Sequence, residues 1–322
     1  MLIVKFNNKK LQFNNKIIQW DNYNPLNLPS NTVRVRTNDG NAPIIDYATS
    51  YETATLVTGT TDVYDVYKSG TNFNSLINGS TNVIEVLGAN TSGITTMISM
   101  FRDCNKLSSI SLFDTSKVTD MHNLFYGCKN LASIPLFDTS NVTDMNCMFY
   151  NCDMITSVPK FNTSKVTNMG AMFEDCNSLI TVPLFDTSKV TSMPYMFNYC
   201  RSLTSVPLFD TSNVTNMDHM FFNCSKLTTA LLFDTSNVTN MEAMFCYCTS
   251  LMNIPLFDTS KVTNMGFMFC NCIKVQSGAL ALYQQASSQT TPPTKHDETF
   301  TNCGINTETG AAELAQIPSN WK

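Results

Sequence analysis

A cysteine recurs at Cys104, Cys128, Cys152, Cys176, Cys200, Cys224, Cys248 and Cys272, each step being 24 residues with no insertion. The same period carries Phe113 to Phe257 and Val118 to Val262. A strict internal period decides the fold before any local propensity does. One such unit cannot bury its apolar side alone, so neighbours must stack into one continuous core. At about 4.8 Å per layer, eight layers make a body roughly 38 Å long.

Within a unit, Met145, Met148, Phe149 and Cys152 follow i, i+3, i+4, i+7 spacing, which predicts one face of a short helix. Asp120, Asp144, Asn168, Asn216, Asn240 or Asn264 precedes the first Met and suits a helix N-cap. Pro194 falls in the first turn, where a missing N–H costs little. Downstream, Leu203 and Val206 point inward and Pro207-Leu208-Phe209 is extended. Pro at this place in most units favours a short strand. The pattern therefore predicts an α/β repeat solenoid of about eight helix–strand units over residues 81–277. Residues 1–80 lack the period and read as a small β-rich attachment or capping domain. Strands are expected at Leu2 to Phe6, Lys10 to Phe13, Lys16 to Trp20, Thr32 to Arg36, Ala54 to Val57 and Val83 to Leu87. Residues 278–322 read as a C-terminal cap, with helices near 278–287 and 309–316, the second capped by Thr307 or Thr309.

The ladders invite chemistry and mostly decline it. Zinc wants Cys pairs two to four apart with further ligands; only Cys246/Cys248 and Cys270/Cys272 are so close, and no His lies near them. In-register stacking points ladder thiols the same way, which disfavours bridging. Cys128, Cys152, Cys176, Cys200, Cys224 and Cys248 are therefore read as a core ladder of small buried hydrophobes. Asp114, Asp138, Asp186, Asp210, Asp234 and Asp258 form a second ladder, with Asn162 breaking it. Calcium is conceivable there, but Asp-Thr-Ser is a turn sequence, and Asn at one step suits an Asx turn better than a charge-dependent role. Catalysis has no pattern behind it: three His, no nucleophile elbow and no Gly-rich phosphate loop. No metal or cofactor is expected, and the chain reads as a non-enzyme. Variation concentrates on the outer face of the expected helices. His122, Tyr195, His219, Glu242 and Phe267 on that face are the candidate binding residues.

Charged residues make up only 14% of the chain and the formal charge is −5, which gives no footprint for nucleic acid or an anionic membrane. No apolar run reaches 18 residues, so no membrane insertion is expected. The start, Met1-Leu2-Ile3-Val4-Lys5-Phe6, alternates like a strand and reads as no secretory signal.

The wording Phe-Asp-Thr-Ser-Asn-Val-Thr-Asn-Met-x-x-Met-Phe-x-x-Cys at residues 209–224 resembles the BspA-like leucine-rich-repeat family of bacterial surface proteins, over roughly residues 90–275. That resemblance implies a leucine-rich-repeat stack used in adhesion and protein binding. The start, Lys5 to Lys16, resembles the opening of structural proteins of tailed phages infecting Bacteroides, including crAss-like phages. Together these imply a non-catalytic virion decoration or fibre-type protein. Its partners would be virion proteins and a host surface protein or glycan, and it could form a homo-oligomer. The alternative is a bacterial cell-surface or secreted adhesin. If the Asp ladder serves turns, melting with and without a chelator should give the same midpoint; a drop with chelator would sink the turn reading.

Overall fold

A computed structural model of the chain describes residues 10–13, 16–19, 26–45 and 52–322. The strand expected at Leu2 to Phe6 and the end of the one reaching Trp20 lie outside these residues. Lys10–Phe13 (β1) and Lys16–Gln19 (β2) pair antiparallel as a small hairpin. Thr32–Thr37 (β3), Glu52–Leu56 (β4), Val63–Lys68 (β5), Val83–Asn90 (β6) and Ser109–Ile110 (β7) form one open sheet of order β4-β5-β3-β6-β7. β3 is central and buries Val33 and Val35 completely, as its alternation demands. On its other face Arg34 makes a two-pronged bond to Asp65 at 2.6 and 2.8 Å, tying β3 to β5. β5 was not foreseen, although Val-Tyr-Asp-Val-Tyr-Lys alternates cleanly.

β6 joins this sheet to the repeats. It pairs in parallel with β7, Glu85 opposite Ser109, already at the 24-residue step. From there the chain winds in coils. Parallel bridges link Asn72, Thr96, Asp120, Asp144, Asn168, Ser192, Asn216, Asn240 and Asn264, each one coil apart. A last bridge joins Asn264 to Lys295. The ladder thus runs beyond the expected limits of 81 and 277 at both ends.

The expected helix in each unit is not there. Among the described residues, α-helix occurs only at Ala279–Ser287 (α1) and Glu308–Gln316 (α2). The segment from Met to Cys is instead two β-turns in tandem, 121–124 and 125–128 in one coil, bridged by a third at 123–126. Leu124 N–H donates to Met121 O at 3.1 Å, Tyr126 to Asn123 at 3.1 Å and Cys128 to Phe125 at 3.0 Å, all three residues back. Two residues per coil adopt the left-handed region, as Tyr195 (φ 59°) and Tyr199 (φ 59°) do. The alternate N–H groups leave the coil altogether. Met121, Asn123, Phe125 and Gly127 donate to Asp144, Asn146, Met148 and Tyr150 of the next coil at 2.8–3.1 Å. The expected N-cap residues begin these turns: Asp144 Oδ1 accepts from Asn146 N–H at 2.8 Å and Asn216 Oδ1 from Asp218 N–H at 3.0 Å. The extended side of each coil hardly pairs as strand, because Pro supplies no N–H there.

The inward positions build one core. Phe101, Phe125, Phe149, Phe173, Phe197, Phe221, Phe245 and Phe269 stack face to face at 5.2–5.7 Å between ring centroids. Phe137 to Phe257 form a second column against them at 6.0–6.4 Å. Cys128, Cys152, Cys176, Cys200, Cys224 and Cys248 are wholly buried in the same core. Each thiol donates to a Phe carbonyl of the preceding coil, as Cys128 does to Phe101 O at 3.0 Å. Buried Thr hydroxyls bind the next coil in the same manner; Thr211 Oγ1 donates to Asp234 O at 2.7 Å.

The cap closes the columns. At Gly278 (φ 100°) the chain turns out of the stack, and a Cβ there would sit 2.1 Å from Ile254 O. α1 follows, and the chain then returns to place Phe300 on Phe269 at 6.1 Å. Trp321, in a closing 3-10 turn Ser319–Trp321, covers His296 at 4.2 Å and Phe300 at 6.4 Å. α2 is capped by Thr307, whose hydroxyl accepts from Gly310 N–H at 3.0 Å.

Phe173→Ala should cost about 3–5 kcal/mol in denaturant unfolding, since a stacked, fully buried ring leaves a cavity. Leu208→Ala, on the outside of a coil, should stay within about 0.5 kcal/mol. Equal effects would contradict the core assignment.

Candidate functional site

The tandem turns place the candidate residues on one face, in two columns. Tyr195, His219 and Phe267 occupy the first left-handed position of their coils, with φ of 59°, 53° and 59°. His122 and Glu242 stand one residue earlier in theirs. Four of the five are half-buried: Tyr195 and Glu242 lean on the next coil, and His122 and His219 on neighbours in their own. Tyr195 lies on His219 at 4.9 Å, rings nearly parallel, and His219 tilts onto Phe222 at 5.2 Å. His219 Nδ1 pairs with Asp218, and His122 Nδ1 with Asp120 Oδ1 at 2.9 Å. Glu242 Oε2 accepts from Asn264 Nδ2 at 2.7 Å. Phe267 is open, at 38% exposure. Tyr195, His219, Glu242 and Phe267 therefore share one stretch of four coils, with His122 three coils before Tyr195.

Sequence reasoning overlooked the second column of this face. Tyr199 packs on Phe222 at 5.3 Å, and Phe222 meets Tyr247 edge-on at 5.7 Å. Earlier in the stack Tyr126 and Tyr150 are parallel at 4.3 Å, with the Arg102 guanidinium 4.5 Å over Tyr126. Between these aromatic groups lie Glu174 and Asp175, both held above the usual carboxylate range by burial. Asn198 donates to Glu174 Oε1 at 2.8 Å, while its own Oδ1, buried, has no partner. Burial also pushes the Tyr195 hydroxyl up to about 12.

A further row was missed entirely. In the extended Leu-Phe-Asp-Thr segment, period-two alternation sends Phe and Thr inward and Leu and Asp outward. Leu136, Leu184, Leu208, Leu232 and Leu256 are consequently 47–59% exposed, in register from coil to coil. Beside them runs the Asp ladder. Its Oδ1 atoms accept from Ser N–H two residues on, at 2.8 Å for Ser116 and 3.1 Å for Ser188. Hydrogen bonds from Ser188 and Ser236 hold Asp186 and Asp234 below the ordinary carboxylate range, and those from Ser260 do so for Asp258. Asp186, Asp234 and Asp258 are ionised at neutral pH. One coil departs: Lys160 and Asn162 replace Leu and Asp together, beside a shallow depression of about 470 Å³ bounded by Lys160 to Thr163 and Leu184 to Asp186. The signal was present in the alternation itself.

No group of three or more His, Cys, Asp or Glu among the described residues is arranged to hold a metal ion. No described helix is long and apolar enough to cross a membrane. This is a stacked-repeat protein whose surface rows follow the coil register. More particularly, the chain belongs to the family described as "Mycoplasma protein of unknown function, DUF285", whose model matches residues 4–133, 61–181, 95–205, 120–228 and 180–283. Two solved structures are similar. A leucine-rich repeat protein from Eubacterium ventriosum is 14% identical over 70% of this chain and 86% of its own, with a TM-score of 0.29. The TLR13–ssRNA13 complex is 14% identical over 60% of this chain, which spans 32% of that one, with a TM-score of 0.28. No curated protein matches.

The two sets of acids should titrate apart. Asp186, Asp234 and Asp258 should lose their protons below the usual carboxylate range, so the stability they add is lost only as pH falls through those low values. Glu174 and Asp175 have the opposite sign: their protonated forms favour folding, and that contribution is lost as pH rises through their raised values. Carboxyl NMR titration reads both; a single shared midpoint would contradict the assignment. Glu174→Gln should stabilise at neutral pH by at most about 1 kcal/mol, since the site is half open.

Proposed function

We propose that the protein is a non-catalytic, protein-binding module, a leucine-rich-repeat solenoid that presents its surface rows to a partner. The observation that carries this reading is the row of exposed leucines beside ionised aspartates, in register over the coils from Leu184 to Leu256. An aligned apolar strip rimmed by charge is the composition of an interaction surface. The aromatic turn face around Tyr195, His219 and Phe222 is the second surface available, and its rings beside carboxylates suit a protein or a glycan.

Placement divides into two readings. The virion reading comes from the resemblance of Lys5 to Lys16, from a start that alternates like a strand and from the unbroken repeat. The first family match begins at residue 4 and covers that segment. The second reading, a bacterial surface or secreted binding protein, is supported by the resemblance of residues 209–224 to the BspA-like repeat wording. Mass spectrometry of purified particles against cell-surface fractions separates the two.

The binding reading is tested by Leu208→Lys with Leu232→Lys. Both positions are outside the core, so circular dichroism and melting should match the unsubstituted protein. Quantitative affinity capture with the two proteins should lose, at least tenfold, the partners that the unsubstituted protein enriches. Identical capture profiles from both would defeat the assignment of the leucine row.

A further inference from the structure

Ten of the 12 cysteines fall into two structural classes; Cys147, half-buried, and Cys303, buried at the C-terminal cap, belong to neither. All eight of the 24-residue ladder, Cys104 to Cys272, have their thiols committed: each donates to a backbone carbonyl of the preceding coil at 3.0–3.1 Å. Burial above all, with nearby negative charge adding to it, pushes the Cys104 thiol to about 12 and the others above their ordinary value, which leaves them inert.

Cys246 and Cys270 stand apart. They occupy the outer turn position filled by Arg102, Tyr126, Tyr150, Glu174, Asn198 and Phe222 in earlier coils. They pack with Ala243 and Phe222 in a small cluster separate from the main core. Both keep a little exposure, 3% and 6%, where the ladder thiols have none. They are equivalent residues of consecutive coils, and the neighbouring main chain is in register: Tyr247 N–H donates to Cys270 O at 2.8 Å. At a coil spacing of about 4.8 Å, their Cα atoms fall within the range of about 4.4–6.8 Å that a disulfide spans. The two thiols are neighbours in that cluster. Asn271 Nδ2 donates to Cys270 Sγ at 3.2 Å. Neither thiol donates to a backbone carbonyl as the ladder thiols do.

We propose that Cys246 and Cys270 are a redox-reactive dithiol, an oxidation site that closes to a reversible disulfide joining two consecutive coils. The ladder thiols stay reduced beneath it. The oxidant is a low-molecular-weight disulfide. Cys270 is the attacking group, because the Asn271 amide donates to its sulfur at 3.2 Å and favours its thiolate. Cys270 sulfur bonds to one sulfur of the oxidant and expels the other as a thiolate. Cys246 then gives its proton to solvent and attacks Cys270 sulfur, expelling the second small thiol. Two protein thiols are oxidised and one small disulfide becomes two thiols. The bridge closes a 24-residue loop and fastens coils next to the C-terminal cap.

The test incubates the folded, reduced protein with excess oxidised glutathione, quenches with acid, then alkylates after denaturation. Two of the 12 cysteines should resist alkylation. Tryptic segments 227–261 and 262–274 should be joined, and fragmentation should place the link on Cys246 and Cys270 instead of Cys248 and Cys272. The oxidised protein should melt a few degrees higher than the reduced one. Cys246→Ser, which removes the closing thiol, should trap glutathione on Cys270; Cys270→Ser should slow adduct formation at Cys246 at least tenfold. Full alkylation of all 12, a link through Cys248 and Cys272, or a folded Cys246→Ser protein with no adduct on Cys270 would each overturn the proposal.

Discussion

Hydrogen bonds from the turns of one coil to the carbonyls of the next are what the rest of the structure depends on. A left-handed residue at two corners of each coil rotates alternate N–H groups out of the coil plane, as in Met121, Asn123, Phe125 and Gly127. Those groups are buried between layers and must find an acceptor. From Phe73 to Tyr247 the acceptor is the residue 23 further on. A single insertion inside a coil would move every acceptor out of reach, so the period tolerates none. Where extra residues do occur, before Lys295, they are expelled as α1 and the register resumes beyond them. The Phe columns, the thiol-to-carbonyl bonds and the surface rows all inherit that one register.

The register was plain in the sequence; its local conformation was not. Met-x-x-Met-Phe-x-x-Cys has helical spacing, but two four-residue turns in tandem also bring the first, fourth, fifth and eighth residues to one side. Periodicity alone cannot separate the two. The discriminating signal was the residue before Cys: Asp103, Gly127, Asn151, Asp175, Asn223 and Asn271 are types that tolerate positive φ. At Tyr195, His219 and Phe267 the same conformation is held by residues that disfavour it, so propensity could not have revealed it. Inter-coil bonding overrides local preference there.

The candidate face was half legible. Variation along the outer turn marked Tyr195, His219, Glu242 and Phe267, and these do share one stretch of the stack. Tyr199, Phe222 and Tyr247 were missed because a helix would have placed their phase elsewhere. The leucine row was missed for a different reason. In a leucine-rich sequence Leu is read as core, whereas here Phe and Thr on alternate positions already fill the interior. The pairing of Cys246 with Cys270 depends on stacking equivalent residues of adjacent coils, which becomes visible once the coil conformation is known.

The coil containing Lys160 and Asn162 shows what the outer row is not needed for. Phe161 there is as buried as Phe185 in the next coil, and Thr163 as buried as Thr187. Asn162 Oδ1 still accepts from Ser164, at 3.2 Å from the N–H and 2.8 Å from the hydroxyl. The core and the turn are therefore complete with a cation in place of Leu and an amide in place of Asp. Folding places no demand for an apolar group or a negative charge on this row. Five half-exposed leucines cost solubility and return nothing to the core. A row that the coil does not require is free to serve the binding role proposed for it.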